Sequence, residues 1–151
     1  MKKPIAVQIS VLMTLLLVVI TTTNGLCAKA PIGDKAKKAQ ATLIIMGRAL
    51  AVDSKVQKSA AETAIGVHRD VVYTISVEVS SVSKGEGLKG GDRITVMAWK
   101  SHTRIPPLPG LQGHDFIPKT GEFATFYLIE DGARYEPLMP NGIESQDEEA
   151  E

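Results

Sequence analysis

The chain has 151 residues, 17 basic and 17 acidic side chains, an aromatic content of 5% and one cysteine. That is one domain's worth of chain, with a core that must rest on Val, Ile and Leu rather than on rings. A lone cysteine excludes an intrachain disulfide, and few stacking aromatics with only a weak basic excess before the acidic C-terminal run, 17 bases against 12 acids, argue against nucleic acid as a partner.

The first 28 residues carry the strongest local signal. "MKK" is followed by the apolar run Ile9 to Ile20, the polar "TTTNG" and the small residues of "LCAKA". Positive charge, apolar core and small residues in that order are a secretory signal peptide, expected to be cut after Ala28, with Gly25 as the next choice. The alternative is an uncleaved anchor over Pro4 to Thr23, long enough at about 20 residues to span a bilayer. Leu26 and Asn24 do not make Cys27 a lipoprotein site, and cleavage after Ala28 removes that thiol. The expected location is therefore outside the cytoplasm, secreted or in the periplasm and cell envelope.

A linker and short helix are expected over residues 29–40, with Asp34 as N-cap for Lys35 to Gln40. "ATLIIMGRALAV" (Ala41 to Val52) reads as a strand bent at Gly47, and "DSKVQKSAAETAIGVHRD" as a loose excursion. Next comes the clearest alternation, with Tyr73, Ile75, Val77 and Val79 on one face and Thr74, Ser76 and Glu78 on the other, a half-buried antiparallel strand. "KGEGLKGGD" is a glycine-rich turn. Beyond it Ile94, Val96 and Ala98 line one face of a third strand, "EFATFYLI" forms a fourth, and the Asp-Gly turn of "EDGA" leads to a short fifth, "RYEPLM". Pro137 places that strand at a sheet edge. The expected fold is mainly β: a small five-stranded antiparallel OB-like barrel over residues 41–143 with one short N-terminal helix. Residues 144–151 hold Glu144, Asp147, Glu148, Glu149 and Glu151 and no base, which reads as an acidic disordered tail.

Three groups of residues carry a resemblance: Gly47, Arg48 and Ala49; Val77, Val79, Val82, Lys84 and Gly85; and Gly91, Asp92, Ile94 and Val96. With "FYLIEDG" after them, the span from Ala41 to Glu144 resembles the exported bacterial domains related to netrin and metalloproteinase-inhibitor (NTR-like) modules. The resemblance implies an OB-like barrel; its motifs are β patterns and turns, which specify a fold and not an activity. The metalloproteinase inhibitors grip a target's metal through a cysteine at the mature N-terminus, held by disulfides. Here Cys27 is the only cysteine.

The stretch "AWKSHTRIPPLPGLQGHDFIPKTGE" (Ala98 to Glu122) holds the chain's only Trp, two of its three His and four of its eight Pro. It reads as an ordered loop over one barrel end, stiffened by "RIPPLPG" and packed through Leu108, Leu111, Phe116 and Ile117. Loops on a rigid scaffold are where recognition concentrates, so Trp99, His102, Arg104, His114 and Asp115 are the candidate ligand- or partner-binding residues. His102, His114 and His68 lack the spacing by which one strand or helix aims two ligands at a metal, so no metal ligand and no cofactor is assigned. "GEGLKGG" lacks the strand-to-helix setting of a phosphate loop, and the serines form no nucleophile elbow, so no catalytic residue is assigned. The function expected is an exported, non-enzymatic binding module for a protein, peptide or glycan of the cell envelope. Membrane attachment is expected only through an uncleaved signal. The alternative is a metal-dependent accessory enzyme or metal-binding protein using the loop histidines.

Overall fold

β-Branched runs and glycine punctuation dominate the chain, and the computed structural model turns them into one sheet. It describes residues 30–62, 65–107, 109–110, 112–132 and 134–146. The expected signal peptide, Cys27, Leu108, Leu111 and residues 147–151 lie outside the described residues.

Helix α1 (Asp34–Gln40) is followed by β1 (Leu43–Lys58), β2 (Val67–Lys84), β3 (Arg93–Ile105), β4 (Phe123–Asp131), β5 (Arg134–Pro137) and β6 (Ile143–Ser145). The strands are ordered β1-β2-β3-β5-β4-β6, and a further pairing of β1 with β4 closes the first five into a ring. The result is a small, mainly β, barrel-like, OB-like fold with one short helix. All ladders are antiparallel except one: β3 meets β5 in parallel, through the single pair Val96↔Tyr135. Pro137 therefore sits in a seam between β3 and β4 and not at an outer edge. Its missing N–H is tolerated because the β3–β5 ladder has already ended.

The alternation read in β2 is the core face. Ile75, Val77 and Val79 are fully buried with Ile45, Val96, Phe126 and Leu128, and Tyr73 packs against them half-buried. Side chains of this size supply roughly 1.5–3 kcal/mol each when buried. The bend expected at Gly47 is required. β1 carries a register shift there, and a Cβ at Gly47 would stand 2.6 Å from Val77 Cγ1 and 2.7 Å from the Glu78 carbonyl oxygen.

Four further expectations change. Asp34 does not cap α1: Gly33 is the N-cap, with no side-chain hydrogen bond, and Asp34 lies in the first turn, 3.2 Å from Lys37 Nζ. The polar segment from Asp53 to Asp70 is not a loose excursion. β1 and β2 run through it in register to Lys58↔Arg69, and Asp53 to Lys58 are exposed at every position, which explains why no alternation marks the β1 side. The loop after Ala98 begins later, because β3 stays paired to β2 as far as Val67↔Ile105. Finally, Glu144 and Ser145 belong to β6, paired with Thr125 and Ala124, so the sheet takes in the first residues of the expected tail.

A second apolar cluster lies outside the ring, where Ala41, Ile44, Tyr127 and Leu138 pack with Ile32 and Ile129. Helix α1 is clamped beside it. Lys37 is buried, ion-paired with Glu144 and held 4.9 Å above the Tyr127 ring. Burial raises the Tyr127 phenol above its usual range, and the Asp34 carboxylate adds to the shift.

Candidate functional site

Because Ile94, Val96 and Ala98 point into the barrel, Met97 and Trp99 point outward from β3. They meet Val72 of β2 on one side and the chain leaving β5 on the other. Between them runs an open groove of about 340 Å³, lined by Gln57, Val72, Met97, Trp99, His114, Ile129, Glu136 and the Pro137–Met139 segment, with Ala98. It lies along the seam that only Val96↔Tyr135 bridges.

His114 bolts that seam. Its backbone N–H donates to the Trp99 carbonyl at 2.8 Å. The Trp99 N–H donates to His114 Nδ1 at 3.2 Å, which leaves Nε2 to donate to the Pro137 carbonyl at 3.1 Å. One buried imidazole thus replaces ladder hydrogen bonds that β3 and β5 do not make directly. Gly113 permits the approach. It has φ 95° and bridges to Lys100, and a Cβ there would fall 2.2 Å from the Trp99 carbonyl oxygen. Ser101 and Gln112 extend the contact, so the loop returns as a strand-like edge on β3. Pro118 is buried, and Phe116 and Ile117 pack on the core.

Of the five residues singled out in the sequence, the structure brings Trp99 and His114 together in the groove. His102 is exposed on β3, with Nδ1 2.8 Å from Thr103 Oγ1. Arg104 is ion-paired with Asp70 and donates to the Arg69 carbonyl at 2.6 Å, which makes it a brace of the arm. Asp115 is exposed; its N–H bonds the Pro140 carbonyl at 2.9 Å and its carbonyl accepts from Lys100 Nζ at 2.7 Å. Sequence reasoning missed the opposite wall, Leu138, Met139 and Ile129, and the floor residues Val72 and Met97. The outward phase of Met97, next to inward Val96, was the available signal.

The groove offers an apolar surface with three polar side chains, Gln57, His114 and Glu136. Among the described residues no hydroxyl or thiol side chain lines it. Among the described residues no group of three His, Cys, Asp or Glu side chains converges as a metal site would require. Nor is any helix among them long and apolar enough to cross a membrane. At the arm tip His68 is buried with Nδ1 unpartnered. Beside it Glu62 accepts the His68 N–H at 2.9 Å and pairs with Arg69 and Lys58. That backbone hydrogen bond, with the two cations, holds the Glu62 carboxyl below its usual range against the opposing effect of desolvation. No family model, curated protein or solved structure matches the chain.

Proposed function

We propose that this chain is an exported, non-enzymatic binding module that takes a protein, peptide or glycan of the cell envelope into the groove at the β3–β5 seam. The observation that supports it is the groove itself. An aromatic, two thioethers and aliphatic side chains form a concave surface with only a few polar groups, the usual make-up of a recognition site. Trp99 and His114 are its anchors, and the rigid ring behind them lowers the cost of ordering on binding. The resemblance to NTR-like modules and the secretory pattern of the first 28 residues support the exported setting.

Retention of envelope components on the immobilised chain tests the binding role. Val72→Glu and Met139→Glu place charge in the groove and should abolish specific retention, while Glu86→Lys, in the glycine-rich turn, should not. Equal retention by all three variants would sink the assignment. Export is tested separately by the intact mass of the accumulated protein: loss of the first 28 residues supports cleavage, and their presence supports an anchor.

A further inference from the structure

The arm leaves one strand edge open. β1 pairs with β4 only from Leu43 to Arg48, and the edge of Ala49 is occupied by the Glu122 carbonyl and the Gly121 N–H. From Ala51 to Lys58, β1 has β2 on one side and no strand among the described residues on the other. An unpaired edge of this kind presents a row of backbone donors and acceptors to any strand that fits it.

The side chains along this edge fit a second copy of the same strand. Asp53, Ser54, Lys55 and Val56 are exposed, and neither Asp53 nor Lys55 has an ion-pair partner among the described residues. Their neighbours across the β1–β2 ladder are Thr74 and Val72, which supply no countercharge. A two-fold axis perpendicular to the sheet keeps equivalent faces together, so an antiparallel pairing of two β1 edges must centre on a residue. Centring on Asp53 or on Lys55 sets that charge against its own copy. Centring on Val56 leaves Lys55 opposite Gln57. Centring on Ser54 sets Asp53 against Lys55 in both directions and Val52 against Val56 in both directions. Opposite charges and β-branched pairs facing each other across strands are the arrangements that stabilise a ladder.

We propose that the chain forms a two-fold symmetric dimer through antiparallel addition of its β1 arm edges, in the register centred on Ser54. The charge pattern gives the test a rescue arm. Asp53→Lys and Lys55→Asp each convert both cross-edge ion pairs into like-charge pairs, whereas the double exchange restores them with reversed polarity. Sedimentation velocity of the chain, in the form its producing cell accumulates, should give twice the monomer mass. Each single exchange should weaken association by roughly tenfold or more, and the double exchange should recover it. A wild-type monomer up to millimolar concentration would overturn the proposal and leave Lys55 as a charge that blunts the edge. So would a dimer indifferent to the single exchanges, or a double exchange that fails to recover.

Discussion

Replacing His114 by Phe separates what this side chain does from the space it fills. Phenylalanine restores much of the imidazole's volume but neither of its hydrogen bonds, so the Trp99 N–H and the Pro137 carbonyl lose their partners. A buried polar group left unpaired costs about 1–3 kcal/mol. The Pro137 carbonyl, whose bond to His114 is buried, belongs near the middle of that range. The Trp99 amide, whose bond is only part-buried, belongs near the bottom. Together they amount to about 3 kcal/mol, a large share of the 5–15 kcal/mol typical of a domain, and roughly a 10 °C fall in Tm at this chain length. His114→Ala should lose about 1–2 kcal/mol more through the cavity it leaves. Urea denaturation followed by Trp99 emission measures both, because the reporter is one of the bonded residues. If His114→Phe melts with the wild type, the seam does not depend on the histidine and the hydrogen-bond reasoning fails.

Val77→Asp should unfold the domain, since a carboxylate among Ile45, Val79 and Phe126 has no partner and costs more than about 4 kcal/mol; a native circular dichroism spectrum would contradict this. Glu144→Ala should cost about 1–2 kcal/mol, because it leaves the buried Lys37 ammonium with the exposed Asp34 carboxylate and the Tyr127 ring. Lys37→Met, which keeps the stem and removes the charge, should be close to neutral; comparing their urea midpoints checks the asymmetry. Glu62 has a depressed carboxyl, so its contribution is present above the ordinary carboxylate value of 4.5 and is lost as pH falls through the lower folded value. Amide protection at Ser59 and His68, corrected for the intrinsic pH dependence of exchange, should therefore fall in acid, and Glu62→Gln should remove that dependence.

What could be read from the sequence follows solvent exposure. Strands with one wet and one dry face write their orientation in alternating residues, which is why Tyr73 to Val79, the inward face of β3 and the Gly47 bend were legible. The β1 side of the arm was not, because Asp53 to Lys58 are all exposed and nothing there selects apolar residues at every second position. Lys37 shows a different limit. A lysine in a short polar helix looks solvated until Glu144 arrives 107 residues away to neutralise it. The same holds for β6, a strand of three residues ordered by its pairing with β4, the buried Ile143 and the Glu144–Lys37 ion pair. The loop from Ala98 to Glu122 stood out by composition. That His114 would join two strands while His102 faced water depended on the close backbone approach at Gly113, which composition does not encode.

The clamp on α1 also fixes an order of events. The helix is among the first described segments to be made, yet its fastenings lie far along the chain: Ile32 exchanges hydrogen bonds with Asn141, 109 residues on, and Lys37 waits for Glu144, 107 residues on. β1 is likewise incomplete until β4 reaches it with Phe123 to Leu128. Until then, a growing or threading chain can make only the β1–β2–β3 meander, with Val77 and its neighbours uncovered on one side. Such intermediates are prone to associate. The fold therefore closes only once Asn141 and Glu144 are available to it, and any factor that accompanies the chain must shield one apolar sheet face until then.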